Sequence, residues 1–323
     1  MPITADPRPI VILGAGGFIG RALAPHLVAD GIAVRAVTRG VATFPPPIEV
    51  RTAGTLDRNS DWRGLLSGAR AVVHLASRAH APPGDAAWHA TERDMAAAIA
   101  TAAAAAGLER TILLSSIKVL GETTTDRPFS AASQPDPRDA YGRAKLAIET
   151  AMQQQGAPGL TIIRPPLVYG PEVKGNFRTL LRIVRRGVPL PLGAIRNRRA
   201  FVFRDNLLAL ITTALTHPAA PGQTSLVRDD DEISTPQLVR EIARRFGQPA
   251  RLFAVPPGLL RLAARTIGRS DAAERLIDSL DIDDRATRVR LGWRPRISLA
   301  EGLDITCRWF ADAEGARLRG SRL

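Results

Sequence analysis

Three glycines set three apart, Gly14, Gly17 and Gly20, constrain this chain more than any other feature. They follow directly on an apolar run, Pro9 to Leu13, and directly precede a helical pattern, Phe18 to Ala29, stopped by Gly31. A strand, a glycine turn and a helix in that order make a phosphate-binding unit. One glycine allows the tight turn, another lets backbone approach a pyrophosphate, and another lets helix pack on strand. The helix N-terminus then offers N–H donors and a partial positive charge. The form is G-x-x-G-x-x-G, since Ile19 stands where G-x-G-x-x-G would need its last glycine. In this context the turn predicts a dinucleotide site; a glycine turn elsewhere would say little.

The pattern repeats down the first half. Apolar strands at Ala33–Thr38, Ala71–Ala76, Arg110–Ser115 and Leu160–Arg164 alternate with helical stretches at about Ala86–Ala106 and Tyr141–Gln155. Such alternation implies right-handed crossovers and a parallel sheet covered on both faces. The expected fold is α/β, a Rossmann-type doubly wound parallel sheet. After Gly170-Pro171 the chain becomes richer in Pro, Arg and loops. Residues 8–170 therefore read as a dinucleotide-binding domain, and 171–323 as a smaller α/β substrate domain. Within the latter, Ala200–Phe203 and Ser225–Val227 look like strands that return to the main sheet.

Composition narrows the partners. No apolar run approaches the roughly 20 residues that span a bilayer, and the short Pro-rich start, Met1–Pro9, lacks a signal-peptide core. A cytoplasmic protein with no membrane partner is expected. The single cysteine, Cys307, leaves no intrachain disulfide and no thiolate cluster for zinc, so no metal is expected. The formal net charge of +13 comes from arginines scattered along the chain, without aromatic-interleaved basic runs. That argues against nucleic acid and for solvated faces or a basic cleft for an anionic substrate.

Two further patterns carry chemistry. Tyr141 and Lys145 stand at i and i+4, on one helical face. A phenol with a free pKa near 10 is a poor base at neutral pH, but a neighbouring ammonium favours its phenolate and makes it an acid/base for alcohol–ketone exchange. Tyrosine occurs only twice here, and lysine only at 118, 145 and 174. Ser115-Ser116 ends the preceding strand, where ligands bind in parallel sheets. The second strand ends in Thr38-Arg39, with no carboxylate until Glu49. NAD enzymes place an acid there, whereas a guanidinium fits a 2′-phosphate. NADP(H) is therefore favoured over NAD(H).

These residues, together with His74-Leu75-Ala76, Ser115-Ser116-Ile117-Lys118-Val119-Leu120-Gly121, Arg164-Pro165-Pro166-Leu167-Val168-Tyr169-Gly170-Pro171 and Leu291-Gly292-Trp293-x-Pro295, resemble the extended short-chain dehydrogenase/reductases of the NAD-dependent epimerase/dehydratase type. The likeness runs from about Ile10 to Phe310. It implies a catalytic triad of Ser116, Tyr141 and Lys145, with Ser116 chosen over Ser115 by its spacing to Val119 and Tyr141. It implies that Phe18 and Ile19 cover the pyrophosphate, that Leu75 and Ala76 line the adenosine side, and that Pro166 and Val168 line the nicotinamide. The adenine-side acid after the third strand is Thr55 here, with Leu56 next and Asp57 close by. Asn176 and Arg199 match nucleotide-contacting positions, and Lys118 and Lys174 are candidate substrate contacts.

Departures narrow the chemistry. The Asp-Glu pair of 4,6-dehydratases is Ile117-Lys118 here, which removes the acid and base for water elimination. The Cys/His pair of enzymes that epimerise beside the ketone is missing, and a crossover-helix Asn is Glu92. The resemblance is strongest to reductases of UDP-4-keto-6-deoxy-N-acetylhexosamines in polysaccharide biosynthesis, then to UDP-hexose 4-epimerases that retain NAD. A homodimer is a family expectation. A non-catalytic dinucleotide sensor is the third reading, disfavoured because both Tyr141 and Lys145 are present.

Overall fold

The computed structural model describes residues 6–76, 86–266, 268 and 270–320. Residues 1–5 of the N-terminal stretch read above lie outside them. The chain opens with β1 (Ile10–Leu13), α1 (Phe18–Ala29), β2 (Val34–Thr38), β3 (Glu49–Thr52), α2 (Trp62–Leu66), β4 (Ala71–His74) and α3 (Ala86–Ala105). It continues through β5 (Arg110–Leu114), a 3-10 turn at Ile117–Val119, α4 (Ala140–Gln154), β6 (Leu160–Arg164), β7 (Leu167–Tyr169) and α5 (Gly175–Arg185).

Seven strands form one parallel sheet in the order β3-β2-β1-β4-β5-β6-β9, where β9 is Thr224–Leu226. The order turns back between β1 and β4, and the crevice at the carboxyl ends of strands lies at such a switch point. All four residues of β1 are buried. Its side chains alternate between two cores, as period 2 requires. Ile10 and Ile12 join α1 and, beyond β7, the helix α6 (Arg204–Thr216) on one face. Val11 and Leu13 join α2, α3 and α4 on the other. Ala96, Ala100 and Ala103 are fully buried, so α3 lies close against the sheet and α4. α2 escaped the sequence reading, because five residues are too few to show a helical period.

Beyond β6 the two segments read as returning strands part ways. Thr224–Leu226 does return and pairs with β6, Arg164 opposite Leu226. Phe201–Phe203 (β8) instead pairs in parallel with β7, making a separate two-stranded sheet. Aromatic packing accounts for this: Tyr169, Phe177, Phe201 and Phe203 share one cluster, with the Tyr169 and Phe177 rings stacked at 5.4 Å. That third core is completed by α5, α7 (Thr235–Arg245) and α11 (Leu299–Gly320), with α8 (Pro257–Thr266), α9 (Ser270–Ile277) and α10 (Arg285–Leu291) between them. Asp229 binds the unit together. Its carboxylate accepts from Tyr169 Oη (2.9 Å), Phe203 N–H (3.0 Å) and Asn206 Nδ2 (2.8 Å). No helix among the described residues is long and apolar enough to cross a membrane.

Candidate active site

The glycine turn is built for close approach. Gly14 has a φ of +87°, and a Cβ there would fall 2.8 Å from Ala76 N. On Gly20 a Cβ would fall 2.6 Å from Ala15 Cα. Any side chain at either position would push α1 or the end of β4 away from β1. Gly17 caps α1 without a side-chain acceptor, and the first turn holds no acid. Its leading N–H groups are therefore left for an anion, and the helix dipole favours one.

In front of this turn lies a cavity of about 760 Å³. Gly14, Gly17, Thr38, Arg39, Thr55, Leu56, Leu75 and Ala76 line it. Arg21 and Gly16 line it too, the Arg21 guanidinium held by the Gly16 carbonyl at 3.1 Å. Arg39 is exposed at the rim. The Thr38 hydroxyl is turned to the Gly40 carbonyl at 2.8 Å, and no carboxylate ends β2. A glycine cradle, uncapped helix donors and a basic rim fit a dinucleotide. Lys174, at the head of α5, reaches the same cavity.

Other residues sit elsewhere. Phe18 packs on the third core beneath the Arg204 guanidinium, and Ile19 packs on the α1 side of the sheet. Pro166 is buried between β6 and β7, and Val168 is packed against the sheet. Asn176 is exposed on the first turn of α5.

Glu92 links the cavity to the Tyr–Lys pair. It is buried on α3, lines the cavity, and its charge is felt by both Tyr141 and Lys145. Asp139 caps α4 through Gly142 N–H (2.7 Å), which places Tyr141 and Lys145 on successive turns. Lys145 Nζ lies 5.8 Å from the Tyr141 ring centre and donates to the Leu114 carbonyl at 3.0 Å. Burial pushes the Tyr141 phenol up to about 12, reinforced by Asp139 and Glu92. Burial also pushes Lys145 down to about 8, against the pull of Glu92 and Glu149. His74 is fully buried, with neither ring nitrogen partnered among the described residues; burial, and then the Lys145 charge, lower its pKa to about 3 and hold it neutral.

The two serines differ sharply. Ser115 is buried, and its hydroxyl donates to Glu149, itself locked in an ion pair with Arg164. Ser116 is half-buried, and among the described residues its oxygen accepts only the Lys118 N–H at 3.3 Å. A hydroxyl so lightly held can turn to a bound oxygen; one committed to a buried carboxylate cannot.

Lys118 is placed away from the role of an open cation. Its ammonium pairs with Asp139 and with Glu122 at 3.0 Å. Arg199 is fixed by its backbone between Ile233 and Leu280, and donates to the Asp278 carbonyl at 3.2 Å. Burial lowers its pKa to about 10, opposed by Asp278. The charge of Arg275, from α9, adds to the lowering at Arg199, and its guanidinium lies 3.5 Å from Glu122. Sequence reasoning missed Arg275, Glu122 and Asp139, which are ordinary charges until the fold gathers them.

Comparison with known proteins identifies the family. A family model described as the NAD dependent epimerase/dehydratase family matches residues 10–227. A Vibrio cholerae protein named UDP-glucose 4-epimerase is 36% identical over 320 residues, covering 95% of this chain and 97% of its own. An Escherichia coli O157:H7 protein named N-acetyl-alpha-D-glucosaminyl-diphospho-ditrans,octacis-undecaprenol 4-epimerase is 26% identical over 265 residues, 78% of this chain and 77% of its own. The solved UDP-glucuronic acid 4-epimerase of Bacillus cereus in complex with NAD superposes with a TM-score of 0.78 at 19% identity, over 94% of this chain and 96% of that one, a likeness of fold.

Proposed function

The chain belongs to the NAD dependent epimerase/dehydratase family, and from that membership we propose that it interconverts an alcohol and a ketone at C4 of a UDP-hexose. The observation that carries the reading is the close packing of the Ser116 turn on the head of α4, where a Cβ on Gly142 would fall 2.5 Å from the Lys118 carbonyl oxygen, so that a lightly held Ser116 hydroxyl and the Tyr141–Lys145 pair lie on adjoining segments. A bound nicotinamide supplies the hydride acceptor or donor. Tyr141 Oη gives a proton to the C4 oxygen as a ketone is reduced, or takes one as an alcohol is oxidised. Ser116 donates a hydrogen bond to the same oxygen. Lys145 holds positive charge near the phenol, which eases its ionisation. In this reading Arg199, with Arg275 near it, pairs with the sugar diphosphate and Asn176 adds a contact from the first turn of α5, and a guanidinium suits that anion well.

Two overall reactions use this step. Reduction of a UDP-4-keto-6-deoxy-N-acetylhexosamine with NADPH is favoured by Arg39, open at the end of β2 where no carboxylate stands. Epimerisation with retained NAD is favoured by the 36% identical Vibrio relative. The nucleotide that co-purifies with the protein, and its affinities for NADPH and NADH, separate them. An empty site with tighter NADPH binding, weakened by Arg39→Asp, supports the reductase. Stoichiometric NAD and UDP-glucose/UDP-galactose interconversion support the epimerase. Failure to act at C4 of any UDP-hexose overturns both.

A further inference from the structure

Lys118 occupies the middle of the 3-10 turn that Ser116 caps. Its backbone and its side chain both bear on the first turn of α4. A Cβ on Gly142 would fall 2.5 Å from the Lys118 carbonyl oxygen, so only glycine lets the two segments meet so closely. The ammonium pairs with one oxygen of Asp139, whose other oxygen caps α4 through Gly142 N–H. Glu122 accepts a second ammonium donor at 3.0 Å. Asp136 N–H reaches the Val119 carbonyl at 2.9 Å and ties the same turn to the approach of α4. Arg275 closes the cluster, 3.9 Å from Asp139. An isolated exposed ion pair contributes little. This one is half-buried, shared among four charges, and joins the two segments that carry Ser116 and Tyr141.

We propose that Lys118 is a positioning residue, clamping the Ser116 turn to the head of α4 and so setting the Ser116 hydroxyl against the Tyr141 phenol. Its catalytic meaning rests on the C4 oxidoreductase reading; its geometry does not. Two of the three ammonium donors are already spent on carboxylates, which distinguishes the clamp from a substrate contact. Misplacing one catalytic group by a fraction of an ångström lowers turnover more than it lowers binding.

The clamp also has an electrostatic signature. Among the described residues, the charges acting on the phenol are Asp139 and Lys145 on α4 and Glu92 on α3, and Lys118, Glu122 and Arg275 gather about Asp139. The Asp139 charge raises the Tyr141 pKa, and Lys118 offsets it. Without Lys118 the phenol rises further, and the basic limb of the pH–rate profile moves to higher pH.

Lys118→Met, Lys118→Arg and Asp139→Asn test this by steady-state kinetics and amide hydrogen exchange. Lys118→Met is expected to lower kcat about tenfold while KM stays within about twofold, with the basic limb shifted up. Lys118→Arg restores most of the rate. Exchange quickens across residues 116–121 and 139–145. Asp139→Asn, which keeps a capping oxygen, reproduces the quickening at 116–121, and the double variant is no worse than either single one. A raised KM at unchanged kcat would instead assign Lys118 to the substrate and overturn the clamp. Should the wild-type protein act on no C4 centre, the functional reading fails, and exchange alone decides: equal rates in Lys118→Met and wild type overturn the clamp.

Discussion

Burial acts on Tyr141 and Lys145 in opposite senses and favours the neutral form of each. The phenol stands near 12 and the ammonium near 8. At about 12, Tyr141 keeps its proton at neutral pH, as a donor to a ketone should. Tyr141→Phe is expected to lower turnover by about 10²–10⁴-fold with dinucleotide affinity unchanged, measured by single-turnover kinetics and titration. Glu92 raises both pKa values, so Glu92→Gln lowers both, and the pH–rate profile moves to lower pH; a shift to higher pH would contradict this account. The Tyr–Lys pair was legible in sequence because i and i+4 share a helical face. The preference for Ser116 rested on spacing; the structure adds a reason in the burial of Ser115 against Glu149. Arg275 was not legible, since nothing near it in sequence marks it as a neighbour of Arg199.

Among the elements, the glycine turn and the β7–β8 pair show how differently legibility arises. The turn was readable because its tightness is local: Gly20 must pass Ala15 at a distance no side chain allows. Gly20→Ala is expected to destabilise the protein by about 1–3 kcal/mol and to weaken dinucleotide binding, seen by urea unfolding and titration. The placement of β8 was not readable. Three apolar residues suit any sheet, and the choice of β7 is made by Tyr169, Phe177 and Asp229, scattered along the chain. The chain's other tyrosine, Tyr169, gives its hydroxyl to Asp229 inside this unit. Removing it in Tyr169→Phe leaves the buried Asp229 short of a donor and is expected to cost about 1–3 kcal/mol. Turnover per folded molecule should hold, which separates this tyrosine from Tyr141.

At the scale of the whole molecule, the charge of +13 sets a field rather than a fold. Attraction between this surface and a nucleotide diphosphate is screened by salt. KM for the sugar nucleotide is therefore expected to rise with ionic strength while kcat changes little; a KM indifferent to salt would confine recognition to the buried arginines. The alternation of strands and helices made the parallel sheet legible from sequence, but not its last member. β9 joins the sheet only after the chain has left it at β6, built β7, α5, β8 and α6, and come back.

That return bears on how the protein is made. As the chain emerges from the ribosome, the six strands up to β6 can assemble first, with the outer edge of β6 bare. It stays bare until residues 224–226 have cleared the exit tunnel, and the α6 side chains that cover one face of the sheet arrive only shortly before them. An unpaired edge beside an uncovered apolar face invites association with other chains. Synthesis therefore passes through a vulnerable interval, which closes when Thr224–Leu226 pairs with β6.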